Sequence, residues 1–209
     1  MLQHAATSVC TLVVGMQGSG KTTFALRLLV ASMPSAYVFA FDPRGDISER
    51  LRVPAALTQR QLIEDDYQTG LAIFDPSAAF PGEREKGFEW FCRFVSATCA
   101  ELPGRKIFFV DEVWKFCSPH SIPLSLAECV QDGRKVGLEM MFATQRPNKL
   151  NGSITGEVTE LVCFRLQENN ALGTLAELGA DIEAVRALPL GSFVSFDCLT
   201  RGTATGWVF

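Results

Sequence analysis

Gly15-Met16-Gln17-Gly18-Ser19-Gly20-Lys21-Thr22 matches G-x-x-x-x-G-K-[ST], the pattern of a phosphate-binding P-loop. Such a loop needs a buried strand before it and a helix after it. Residues 9–14, Val9-Cys10-Thr11-Leu12-Val13-Val14, are almost wholly apolar and predict that strand. Residues 22–33 predict the helix, with Thr23 in its first turn. The glycines allow a sharp turn that aims backbone N–H groups at phosphate oxygens. The helix N-terminus adds a positive dipole end. Lys21 is placed to reach β- and γ-phosphates, and the Thr22 hydroxyl to ligate Mg²⁺. Residues 15–23 are therefore the candidate nucleotide-binding stretch, with ATP and Mg²⁺ the expected ligands.

Downstream, apolar runs alternate with helical patterns, which predicts an α/β fold with a mainly parallel sheet and helices on both faces. Strands are expected at 36–41, 71–74, 107–110, 138–144 and 159–166. Helices are expected at 83–102, 124–136 and 169–178. After the strand at 9–14, the second strand of the chain, Ala36-Tyr37-Val38-Phe39-Ala40-Phe41, runs into the turn-rich Asp42-Pro43-Arg44-Gly45-Asp46. Phe88, Phe91, Cys92, Val95 and Cys99 recur at helical spacing and read as core. The segments 192–197 and 205–209 predict a closing strand pair around Thr200-Arg201-Gly202.

With 209 residues the chain can bury one sizeable core. No apolar run is long enough to cross a membrane. The opening Met1-Leu2-Gln3-His4-Ala5-Ala6 lacks the basic start and apolar stretch of a signal peptide, so no domain is expected before the P-loop. The seven cysteines form no C-x-x-C pair, which predicts reduced thiols in a cytosol-like compartment. Cys117 and His120 are close enough in sequence for a metal site, or sit in an exposed turn. The net charge of −4 excludes a generally basic surface, so any DNA contact must come from a local patch or an assembly.

Polar residues stand at the C-terminal ends of the apolar runs, where open α/β sheets bind ligands. Asp111 and Glu112 follow Ile107-Phe108-Phe109-Val110 as a Walker B pair does. Asp111 is the expected Mg²⁺ partner and Glu112 the expected general base. The second acid favours hydrolysis over simple phosphotransfer. Gln145 is a candidate for sensing the γ-phosphate or orienting water, or else an exposed loop residue. Arg134, in Gly133-Arg134-Lys135-Val136-Gly137, is a candidate trans-acting arginine; such a finger contributes on the order of 10³–10⁵ in rate where it operates. Its alternatives are a surface role or a DNA contact. Arg146 and Lys149 lie in a basic loop that either faces a phosphate backbone or is simply solvated. Arg44, Arg50 and Arg52 read as a solvated face.

The order of these motifs resembles the FtsK–HerA superfamily of DNA-pumping ATPases. The match runs from the P-loop through Phe41-Asp42-Pro43-Arg44-Gly45-Asp46, Val110-Asp111-Glu112 and Gly133-Arg134-Lys135-Val136-Gly137. It continues through Ala143-Thr144-Gln145-Arg146-Pro147, Cys163-Phe164-Arg165-Leu166 and Leu188-Pro189-Leu190-Gly191-Ser192-Phe193. The Gly-Arg-Lys and Thr-Gln-Arg-Pro segments at this spacing are its specific part. The resemblance implies a RecA/FtsK-like P-loop NTPase fold: a three-layer sandwich whose mainly parallel sheet ends in a C-terminal antiparallel strand pair. It also implies one domain over residues 1–209 and a homo-oligomer, a hexameric ring, acting on double-stranded DNA without sequence preference. A bare core of this size resembles the genome-packaging ATPases of tailless, membrane-containing icosahedral viruses. That implies capsid or vertex partners and a place at the virion vertex or in the host cytoplasm. Arg146 and Arg165 compete with Arg134 for the trans role.

Four functions are consistent with these residues: a viral packaging motor; a cellular or plasmid translocase for conjugation or phage export; a small-molecule P-loop kinase; and a nucleotide-bound structural protein.

Overall fold

The computed structural model describes residues 9–208. The opening Met1–Ala6 stretch and Phe209, the last residue of the expected final strand, lie outside the described residues. The elements run β1 (Cys10–Val14), α1 (Lys21–Ser32), β2 (Ala36–Phe41), α2 (Asp46–Leu51), α3 (Gln59–Thr69) and β3 (Leu71–Phe74). Then come α4 (Arg84–Glu101), β4 (Arg105–Asp111), α5 (Leu124–Asp132), β5 (Leu138–Thr144), α6 (Gly152–Thr155) and β6 (Glu160–Phe164). The chain ends with α7 (Asn169–Glu177), α8 (Ile182–Ala187), β7 (Ser192–Asp197) and β8 (Thr203–Trp207).

The described residues form an eight-stranded sheet in the order β3-β2-β4-β5-β1-β6-β7-β8. The first six strands in that order are parallel, and β7 and β8 add antiparallel. The expected α/β architecture with a closing strand pair is observed. Parallel strands covered on both faces read as continuous apolar runs, and β1 is buried at every position. Alternate residues feed two cores. On one face Val13, Val38, Phe109, Met141 and Val162 pack with α1 and with Ile47 of α2. On the other Leu12, Phe39, Phe108, Phe142 and Leu161 pack with α4, α5 and α7. These are the three layers.

The α4 aromatic stripe fills the second core. Phe88 stacks on Phe116 at 4.3 Å between ring centroids and meets Phe41 at 5.0 Å. Such pairs contribute about 0.5–1.5 kcal/mol beyond their area. Because Phe116 follows β4 closely, this packing pins the turn that carries the acid pair.

Several boundaries differ from expectation. The helix expected at 124–136 ends at Asp132 and tightens into a 3-10 turn over Gly133–Val136. A Cβ on Gly133 would lie 3.2 Å from the Leu138 side chain, and Gly137 closes the turn at φ 71°. Four helices were not expected: α2, α3, α6 and α8. α2 forms because both Asp42 carboxylate oxygens accept from its first amides, Ile47 at 3.1 Å and Ser48 at 2.8 Å. α3 starts at a Thr58–Gln61 capping box, and α8 at Asp181, which accepts from the Ala184 N–H. The final strand begins at Thr203 rather than 205.

Candidate active site

The sheet topology brings the C-terminal ends of β1, β5 and β4 side by side. At the end of β1 the chain turns through residues 15–20 into α1. Gly20 caps that helix at φ 105°, in the left-handed region open to glycine. Gly15 is required for space: a Cβ there would lie 2.5 Å from Ser19 Oγ and 2.6 Å from Phe164 Cβ. Neighbouring elements hold the loop by its backbone. The Gly15 N–H donates to the Thr144 carbonyl at 3.3 Å and the Met16 N–H to that of Arg165 at 3.0 Å. The Gly191 N–H donates to the Ser19 carbonyl at 3.2 Å, so the entry to β7 braces the loop from below.

Four of the candidate side chains meet. Lys21 Nζ lies 3.0 Å from Glu112 Oε1, with the two side chains only 9% and 10% exposed. The Thr22 hydroxyl donates to Asp111 Oδ2 at 3.0 Å. Glu112 sits just past β4 at φ 52°, a left-handed conformation uncommon outside glycine. That turn swings its carboxylate back over the end of the sheet. Its other oxygen, Oε2, accepts from the Trp114 indole N–H at 2.7 Å and from the Gln145 backbone N–H at 3.2 Å. Thus Gln145 reaches the acid through its main chain, whereas the sequence directed attention to its side-chain amide.

Burial pushes the Asp111 carboxyl above its ordinary value, and the Glu112 charge adds to this; Lys21 and the Thr22 hydroxyl oppose it. Asp111 Oδ1 and Ser19 Oγ are buried oxygens with no protein hydrogen-bond partner. Among the described residues no group of three or more His, Cys, Asp and Glu side chains is set to hold a metal, and this includes the Cys117–His120 turn. Mg²⁺, however, commonly takes one or two protein oxygens and completes its shell with water and phosphate. The free Asp111 oxygen beside the Thr22 hydroxyl fits that demand, and a cation there would reverse the penalty on the Asp111 charge.

The remaining candidates divide by position. Arg146 and Lys149 are exposed and line an open cleft of about 420 Å³ with Met16, Gln17, Gln145 and Gln167, directly beside the P-loop. Arg146 Cζ lies 4.9 Å from the centroid of the Trp114 ring. Arg165 follows β6 next to the P-loop, its Nε buried and without a partner. Arg134 is elsewhere. It precedes β5, at the N-terminal end of the sheet, whereas Gln145 follows the same strand. Seven strand residues at about 3.3 Å each separate them by roughly 23 Å, so Arg134 does not join its own chain's cluster. Arg44 pairs loosely with Asp46 at 3.7 Å. With Arg84 and Lys115 it lines a small recess against Asp111. Burial, then the Arg44 charge, holds the Lys115 ammonium below its ordinary value.

Trp114 is the site residue that sequence reasoning missed. An indole two residues past an acid pair was visible as a possible donor, but its use depends on the left-handed turn at Glu112, which sequence pattern does not reveal.

No family model matches the chain. Protein P9 of Pseudoalteromonas phage PM2 is 28% identical over 171 residues, 79% of this chain and 72% of that protein. Among solved structures, the genome packaging NTPase B204 of Sulfolobus turreted icosahedral virus 2, in complex with AMPPCP, superposes with a TM-score of 0.68. That match has 17% identity and covers 97% of this chain and 98% of the other. The plasmid coupling protein TrwB, in complex with GDPNP, superposes with a TM-score of 0.69 at 13% identity, covering 98% of this chain and 86% of TrwB. The chain therefore shares its fold with a viral genome-packaging NTPase and a plasmid coupling protein.

Proposed function

We propose that this protein is a Mg²⁺-dependent ATPase that translocates double-stranded DNA, and that it serves as a viral genome-packaging motor. The observation that carries this reading is the joining of two motifs. Lys21 and Thr22 from one strand end meet Glu112 and Asp111 from another, at 3.0 Å in both pairs. The motor assignment is supported by the fold shared with B204 over 97% of this chain.

The P-loop amides and Lys21 would hold the β- and γ-phosphates of ATP, and Thr22 with Asp111 would hold the metal. Bound Mg²⁺ would neutralise negative charge that develops on the phosphate. Glu112 accepts the proton of the attacking water; in the present arrangement the Gln145 main-chain N–H holds one of its oxygens. Lys21 pairs with Glu112 in the present arrangement, so phosphate binding exchanges one anion for another on the same ammonium. Arg146 and Lys149, beside the P-loop, face the DNA backbone. Arg134 acts on the site of a neighbouring subunit in a homo-oligomeric ring, a hexamer in this reading. Capsid or vertex proteins would be its further partners, at the virion vertex or in the host cytoplasm. No helix among the described residues is long and apolar enough to cross a membrane.

The likeness to TrwB over 98% of this chain favours a second reading, a plasmid or cellular DNA translocase on the same chemistry. Phosphate release measured with and without duplex DNA tests the shared core of both. Stimulation by duplex of any sequence, weakening steeply as salt rises, is expected. Turnover that requires a small-molecule acceptor and ignores DNA would sink both readings.

A further inference from the structure

Glu112 and Arg146 are joined through one side chain that neither motif predicts. The left-handed backbone at Glu112 reverses the chain, and the short turn Val113–Lys115 folds Trp114 back toward the acid. The Lys115 N–H closes that turn on the Glu112 carbonyl at 3.0 Å. Phe116, buried against Phe88 and Phe41, holds its far end. Trp114 then has two separate contacts. Its N–H donates to Glu112 Oε2 at 2.7 Å, and its ring faces the Arg146 guanidinium, centred 4.9 Å away.

The two contacts differ in strength. A hydrogen bond to an ionised carboxylate is of the strong, charge-assisted kind. A cation over a partly exposed ring is held weakly. Arg146 is itself exposed, at the rim of the cleft beside the P-loop. A phosphate diester offers its guanidinium a better partner than the ring does. The backbone connects the same two groups. Gln145, next to Arg146, donates its N–H to the very oxygen that Trp114 holds, and the Arg146 N–H is fixed by Thr144 Oγ1 at 2.9 Å. A shift of the Arg146 loop therefore reaches Glu112 Oε2 by two routes.

We propose that Trp114 is a positioning residue that ties the Glu112 carboxylate to Arg146, so that DNA phosphate taken up by Arg146 changes how Glu112 is held. This rests on reading Glu112 as the base of a DNA-dependent ATPase. With Arg146 on the ring, the indole and the Gln145 amide fix Oε2 while Lys21 occupies Oε1. With Arg146 on a phosphate, the ring loses its cation, the hold on Oε2 loosens, and Glu112 can turn to water.

Two measurements test this. Trp114→Phe keeps an aromatic ring for Arg146, removes the N–H and shrinks the indole to a phenyl. The variant should hydrolyse ATP faster than wild type without DNA and lose its stimulation by DNA. Wild-type stimulation in Trp114→Phe overturns the proposal. The second measurement needs no turnover and stands even if that variant does not fold. The chain has three tryptophans, so Trp90→Phe/Trp207→Phe leaves Trp114 as the sole indole. Saturating a short labelled duplex, with binding followed by its own anisotropy, should change Trp114 emission. Adding Arg146→Gln should abolish that change at equal DNA occupancy. Constant emission on binding, or a change that survives Arg146→Gln, overturns the link. Absence of any wild-type turnover refutes the ATPase reading instead, and the emission result still decides the Trp114–Arg146 contact.

Discussion

Glu112→Gln keeps the shape of the side chain and removes its charge, which separates two roles of one residue. The Gln carbonyl can still accept from Trp114 and Gln145, so the change falls on Lys21. That ammonium lies 3.0 Å from Glu112 Oε1 with both side chains about nine-tenths buried. At an effective dielectric of about 20 the attraction at this distance is about 5.5 kcal/mol. Removing one partner of a buried pair typically costs about 3–5 kcal/mol. The retained hydrogen bonds place this case near 3 kcal/mol, a fall in melting temperature of roughly 6–12 °C for a chain of this size. Nucleotide should reverse that loss, because its phosphates supply the missing anion and no longer compete with Glu112. ATP-γS with Mg²⁺ should therefore raise the melting temperature of Glu112→Gln by more than that of wild type. Turnover at saturating ATP should drop by about 10²–10⁴, the contribution of a general base. Thermal melts with and without nucleotide, together with phosphate release, read both effects. An unchanged melting temperature in the free protein would refute the ion-pair reasoning, and a wild-type rate would remove Glu112 as the base.

Lys21→Ala should lose nucleotide binding in a fluorescent-nucleotide titration; normal binding would refute the P-loop assignment. Gly15→Ala places a methyl 2.6 Å from Phe164 Cβ, which β6 holds in place. An overpacking penalty of about 1–3 kcal/mol predicts a loss of nucleotide affinity of roughly 5- to 150-fold, and unaltered affinity would show that the loop can yield. Mixtures of Arg134→Ala with Lys21→Ala subunits should recover some ATPase activity that neither variant has alone, provided Arg134 acts across an interface. No recovery argues against that arrangement. Burial raises the Cys10 and Cys99 thiols from 9.0 to about 12. Above pH 9 the unfolded chain releases protons that the folded chain retains. Stability should thus hold below pH 9 and fall between 9 and 12, by about 1.4 kcal/mol per pH unit for each such thiol. Denaturant midpoints that stay flat into this range would contradict it.

The strands were legible because a parallel strand buried on both faces needs apolar residues at every position, as in Ile107-Phe108-Phe109-Val110. The short helices were not, since a helical period needs more than one apolar anchor to register. α2 buries only Ile47 and α8 only Val185. The Thr58–Gln61 capping box was present in the sequence but flanked a mostly polar segment. For the site, residue types at strand ends indicated which groups to inspect. Their meeting depends on β5 lying between β4 and β1, an order of long-range pairings that local pattern does not encode. The same limit hid Trp114, whose donor role depends on a single left-handed residue.

The position of Arg134 at the far end of the sheet has a geometric consequence. If it serves a neighbour's nucleotide, the surface that gives the arginine and the surface that receives it are different faces of one chain. Such contacts are heterologous, and they propagate head to tail until a rotation closes them. In such a head-to-tail arrangement, any open chain of subunits leaves one terminal site without its arginine. Full competence would belong to the closed assembly alone, so idle subunits in solution would waste little ATP.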